Sequence, residues 1–171
     1  MSRFLTLALL ALLAGCAHSR VTIPVLSEPI ILGISPHPWC GRCDSYTITL
    51  ANDGRAWLEH GWWAGDYSDW RTRVERVQLP PERVSEFSDR LNLLRPEGQV
   101  ILDSTPFCDV LITDAGYYRI EWPGESGVDR LILDRGCQGE NADRLEANLG
   151  EIFAAFGVEV DRPIRFPTPI P

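Results

Sequence analysis

The sequence predicts an α+β domain, an antiparallel sheet built from two strand-turn-strand-strand-helix halves with two helices packed on one face. Three observations carry this. Tyr46, Ile48 and Leu50 alternate with Thr47, Thr49 and Ala51 and run into Asn52-Asp53-Gly54, the pattern of a half-buried strand entering a tight turn. Val84, Phe87, Leu91 and Leu94 fall at helical steps, as do Leu145, Leu149, Ile152 and Phe156. The halves also rhyme, since Gly54 precedes Phe87 by 33 positions and Gly116 precedes Leu149 by the same 33. Each half then reads strand, tight turn, strand, strand, helix, which suggests an internal duplication.

At 171 residues the chain has room for one hydrophobic core. Residues 1–15 read as a signal peptide, 16–27 as a tether, 28–158 as a single α+β domain and 159–171 as a proline-rich tail. Pro29–Ser35 is apolar and strand-like, and ends at Ser35-Pro36-His37-Pro38. After the Tyr46–Leu50 strand and its turn, Arg55–His60 returns as the partner strand. Gly61–Tyr67 (GWWAGDY) reads as a glycine-rich loop with exposed aromatics, and Arg71–Leu79 as a third strand with Val74 and Val77 on different faces or across a bulge. Pro80-Pro81-Glu82 opens a helix where a missing N–H costs nothing, and Arg95-Pro96-Glu97-Gly98 closes it. Gln99–Asp103 reads as a short strand. Phe107–Thr113 and Tyr117–Trp122 read as a second hairpin across Asp114-Ala115-Gly116, followed by a strand over Val128–Leu133. Asn141 is the expected N-cap of the last helix, with Gly157 at its end. The helix-free face of the sheet is expected to carry Thr47, Thr49, Arg119 and Glu121, solvated or used for contact.

Charge narrows the function. A formal charge of -8, with no basic cluster, argues against a nucleic-acid partner, because phosphate binding needs concentrated positive charge. All sixteen basic residues are arginine, so Schiff-base chemistry, a Walker lysine and a lysine general base are excluded. Gly-x-Ser-x-Gly and His-Glu-x-x-His are both absent, and the scattered carboxylates (Asp44, Asp66, Asp69, Asp103, Asp109, Asp114) define no acid-base pair. No catalytic residue and no cofactor are assigned.

The N-terminus carries an address. Arg3 precedes the apolar run Phe4–Leu13, about half the roughly twenty residues a membrane-spanning helix needs, and Leu13-Ala14-Gly15-Cys16 closes it. This segment resembles the lipobox of bacterial lipoproteins. The resemblance implies that Cys16 receives a diacylglyceryl group, becomes the first residue after cleavage and is then acylated on its new amine. Two or more acyl chains suffice for stable attachment. It also implies an address at the outer membrane, facing the periplasm, because Ala17 is not aspartate. The membrane is thus a partner through the lipidated N-terminus.

Cys40, Cys43, Cys108 and Cys137 remain, an even number suited to disulfides in an oxidising compartment. Four cysteines permit three pairings and the sequence does not choose; the reading leans to Cys40–Cys43 with Cys108–Cys137. Trp39-Cys40-Gly41-Arg42-Cys43 also looks like the motif of thioredoxin-like oxidoreductases, in which a low-pKa Cys40 thiolate would attack and Cys43 resolve. Such a motif needs a helix N-terminus to lower the thiol pKa, whereas here it runs into TITL and a hairpin. A zinc site from His37, Cys40, Cys43 and His60 has permitted spacing but lacks a second Cys-x-x-Cys, and no metal is expected. Trp62, Trp63, Tyr67 and Trp70 form the remaining candidate, a set of aromatics among glycines and aspartates suited to binding an envelope protein or a glycan; the plainer alternative is that some fold back to cap the sheet.

From about Ile31 to Phe156 the chain resembles the exported bacterial domain-of-unknown-function family 6438. That family's paired-cysteine segment leads into a strand, an Asp-Gly turn and a return strand ending in glycine, answered here by Cys40, Gly41, Cys43, Tyr46, Asp53, Gly54 and Gly61. Asp44 stands where the family has proline, and the cysteines are one residue closer. The resemblance implies a fold and an exported setting, without a mechanism.

Overall fold

The computed structural model describes residues 28–35, 44–65, 69–112 and 115–160. Cys16, His37, Cys40, Cys43 and Tyr67, with the signal, the tether and the tail from 161 onward, lie outside these residues. The fold is α+β. Seven strands form the main sheet: β1 (Ile30–Ser35), β2 (Ser45–Leu50), β3 (Ala56–Ala64), β4 (Asp69–Val77), β5 (Gln99–Leu102), β7 (Tyr117–Gly124) and β8 (Gly127–Asp134). Their order across it is β4-β3-β2-β1-β7-β8-β5. All neighbours are antiparallel except β5, which runs parallel to β8. β6 (Val110–Leu111) and β9 (Cys137–Gln138) pair separately as a small ribbon. Helices α1 (Pro81–Asn92) and α2 (Glu140–Ala155) complete the domain.

Register follows from the alternation in the sequence. One row runs Leu58–Ile48–Leu32–Ile120–Leu131, strand by strand, and every member is buried. A one-residue slip in any strand would turn these side chains to the other face, so burial holds the register. Val84, Phe87 and Leu91 of α1 and Leu145, Leu149, Ile152 and Phe153 of α2 join the same core, which places both helices on this face. Arg90 ties the helices together, donating to Asn148 Oδ1 and Glu151 Oε2, both at 3.0 Å. The opposite face carries Thr47 and Arg119 flanking Gly33, and Thr49 and Glu121 flanking Ile31, as the alternation requires. It is not uniformly wet, because Thr49 and Trp57 are buried there.

The first half keeps its expected order, with β2 and β3 joined by Asn52-Asp53-Gly54. Gly54 takes a φ of 84° and its N–H donates to Ala51 O at 3.0 Å. In β4, Val74 pairs with Glu59 on the open face and Val77 with Ala56 on the helix face, without a bulge. The second half keeps the strand-turn-strand-strand-helix order with different pieces. Tyr117–Gly124 pairs with Gly127–Asp134 across Glu125-Ser126, and not with the described part, 107–112, of the expected Phe107–Thr113 strand. Val110–Leu111 pairs instead with Cys137–Gln138. The Cys108–Cys137 disulfide lies beside that ribbon, with Cα atoms 5.2 Å apart, and Asp109 N–H donates to Gln138 O at 2.7 Å. A covalent tie and ladder bonds to β9 thus take this segment away from β7, so the rhyme of Gly54 with Gly116 is no structural equivalence. The last helix begins at Glu140 after Gly139 and carries no side-chain cap, which corrects the expected Asn141 cap.

Candidate functional site

β3 and β4 are longer than their neighbour. β2 pairs with β3 only as far as Ser45–Gly61, whereas the β3–β4 pairing continues through Trp62–Arg71, Trp63–Trp70 and Ala64–Asp69. Among the described residues the β3–β4 ribbon therefore overhangs the sheet and carries three tryptophans past its edge. Residues Gly61–Ala64 are strand, not loop, which corrects the glycine-based reading. Gly61 is there to make room: a Cβ at that position would overlap the Trp70 ring and lie 2.7 Å from Ser45 Oγ. The ring settles over the bare backbone.

Period-two alternation splits the aromatics between faces. Trp63 and Trp70 stand opposite each other on the open face, edge to face, with ring centroids 5.1 Å apart. They are 42% and 40% exposed, against 4% for Trp57 further along the same strand. Tyr46, His60 and Trp62 occupy the other face. Tyr46 and His60 stack at 4.7 Å and Trp62 tilts against His60 at 4.9 Å. His60 Nε2 lies 2.7 Å from Asp44 Oδ2, which also accepts from the Tyr46 hydroxyl at 3.4 Å. Arg71 and Arg73 stand opposite Trp62 and His60.

Among the described residues this arrangement suits contact better than chemistry. An aspartate orienting a histidine is half of a nucleophile-activating device, but the adjacent hydroxyl of Ser45 sits on the opposite face beside Gly61. His60 Nε2 is held by Asp44, and His37, Cys40 and Cys43, the other members of the zinc set weighed from sequence, lie outside the described residues. The stacked rings use their faces on each other, whereas Trp63 and Trp70 offer broad apolar area with indole N–H groups at the rim. Trp62, Trp63 and Trp70 were legible in the sequence as a group. Tyr46 and Asp44 join them only through the β2–β3 register, whereas His60 stands two residues before Trp62 on the same face of β3.

A second polar cluster escaped sequence reasoning. Tyr118, fully buried on the helix face, bonds with Glu146 of α2 and with Arg135, whose guanidinium lies 5.5 Å from the centre of its ring. Burial first, then the Glu146 carboxylate, push the phenol up to about 12. An open cleft of about 730 Å³ adjoins it, lined by Asp143, Glu146, Glu151 and Glu159 and by small residues of α2. These residues come from separate elements, and no local spacing announces them. Compared with protein-family models, with curated proteins and with solved structures, the chain matches none of them.

Proposed function

We propose that this chain is a lipid-anchored cell-envelope protein, held through Cys16 at the outer membrane on its periplasmic side. Its domain binds an envelope protein or glycan and performs no chemistry. The likeness to the domain-of-unknown-function family 6438 belongs to the same proposal. Leu13-Ala14-Gly15-Cys16 supports the anchor. The Cys108–Cys137 disulfide agrees with an oxidising compartment. No described helix is long and apolar enough to cross a membrane.

The observation that carries the binding reading is the overhanging β3–β4 ribbon with Trp63 and Trp70 about two-fifths exposed at its tip. Exposed tryptophans on a paired ribbon give contact area at low conformational cost, the property of residues that dominate interfaces. Its test is co-sedimentation of the full chain with isolated peptidoglycan sacculi, run beside photo-crosslinking in intact cells from position 63 and, as control, position 126. Pelleting that falls about tenfold in a Trp63→Ala, Trp70→Ala variant would identify a glycan. An adduct of one mass from 63 and none from 126 would identify a protein. Neither outcome, with the variant folded, would overturn the binding reading. The anchor is tested by Cys16→Ala, which should move the chain from the membrane to the soluble fraction; an unchanged distribution would refute it.

A further inference from the structure

We propose that two copies of this chain pair through β5, antiparallel about a two-fold axis centred on Ile101, so that their sheets join edge to edge.

The two edges of the main sheet are built differently. β4 presents exposed Asp69, Arg71, Arg73, Glu75 and Arg76, the charged side chains by which sheets discourage added strands. β5 is Gln99-Val100-Ile101-Leu102, without a charge, and Val100 and Ile101 are 36% and 49% exposed. Among the described residues no strand lies beyond it. The backbone there is turned to receive one. Gly98 C=O accepts from Arg130 N–H of β8 at 2.8 Å, so in the alternation of a parallel ladder Val100 and Leu102 also face β8. Gln99 and Ile101 then turn N–H and C=O outward.

Charge selects the occupant and the register. An antiparallel second copy must match outward-turned residues with each other, and of the pairings that do so those centred on Val100 or on Ile101 overlap the most of β5. Centring on Val100 sets Glu97 of one copy against Asp103 of the other, two carboxylates face to face. Centring on Ile101 sets Asp103 against Gln99 of the other copy, whose side chain already accepts from Arg130 Nη1 at 3.1 Å. Each Asp103 then approaches an Arg130 guanidinium, while Ile101 meets Ile101 and Val100 meets Leu102. The strand is its own complement in that register.

The test uses the full chain in membranes carrying Ile101→Cys, Val100→Cys or, on the exposed β6, Val110→Cys, under mild oxidation, with the native cysteines a constant background. Facing Ile101 positions would lie about 5.5 Å apart, within disulfide reach, whereas two Val100 positions would be offset by about 7–8 Å. Covalent dimer should form about fivefold more from Ile101→Cys than from the other two. Preference for Val100→Cys would overturn the register, and equal yields at all three would overturn the interface. Sedimentation of the detergent-solubilised chain gives a second reading. The unmodified chain should show concentration-dependent dimer, and Ile101→Lys should remain monomeric with an unchanged circular dichroism spectrum. A monomer at every concentration for the unmodified chain would refute the proposal.

Discussion

Gly61→Ala tests whether the aromatic tip is built by backbone approach. The glycine φ is not in the left-handed region, so alanine fits the backbone there, and the cost must come from space. The new Cβ would overlap the Trp70 ring and stand 2.7 Å from Ser45 Oγ. The serine hydroxyl can rotate away, but the ring must swing off β3. That forfeits the edge-to-face contact with Trp63, about 0.5–1.5 kcal/mol. Crowding that the ribbon cannot relieve adds about 1–3 kcal/mol, and alanine returns about 0.5–1 kcal/mol relative to glycine in a strand. The net expectation is a loss of about 2 kcal/mol, within a span of about 0.5–4 kcal/mol, read by urea unfolding followed through tryptophan emission. A double-mutant cycle isolates the cause. In a Trp70→Ala background the same change should be neutral or stabilising by about 0.5 kcal/mol. An equal loss in both backgrounds would refute the account of Gly61 as the seat of Trp70.

Cys108→Ala with Cys137→Ala releases a loop of sequence separation 29, which loop-closure entropy converts to about 3.6 kcal/mol of lost stability, measurable as a lower urea midpoint. An unchanged midpoint would mean that the β6–β9 ribbon holds without its covalent tie. Tyr118 links stability to high pH. Its phenol is raised from 10.0 to about 12, so between those values the unfolded chain loses a proton that the folded chain keeps. Stability is intact below pH 10, falls as pH rises towards 12, and loses about 3 kcal/mol in all. Tyr118→Phe should flatten that fall, and an identical pH profile in the variant would place the linkage elsewhere. Asn92→Ala removes the acceptor 3.1 Å from the buried Trp122 indole N–H and should cost about 1 kcal/mol in thermal unfolding, whereas no shift would mean that solvent replaces it. The oxidoreductase alternative is checked by redox titration of Cys40 and Cys43. A midpoint in the range of structural bridges, with loss of fold on reduction, would end it, whereas a poise near that of catalytic dithiols would revive it.

Local chemistry by itself determined the pieces that repeat with a period. The alternation from Tyr46 to Leu50 marks β2, and the helical steps of Val84, Phe87 and Leu91 and of Leu145, Leu149 and Ile152 mark α1 and α2, because one buried face selects the same residues in any surroundings. The tryptophans of the tip were visible as a group for the same reason, as neighbours in the chain. Tertiary structure decided who pairs with whom. Gly61–Ala64 looks like a loop until β4 supplies ladder bonds and Trp70 fills the space above the glycine. Val110–Leu111 has strand chemistry that suits either β7 or β9, and the Cys108–Cys137 bond together with the Asp109–Gln138 contact selects β9. Arg135 and Glu146 gather around the buried Tyr118 only when α2 lies across β7. A strand's own residues set which face is apolar, but its neighbours come from distant segments, so strand order and every site assembled across strands belong to the fold.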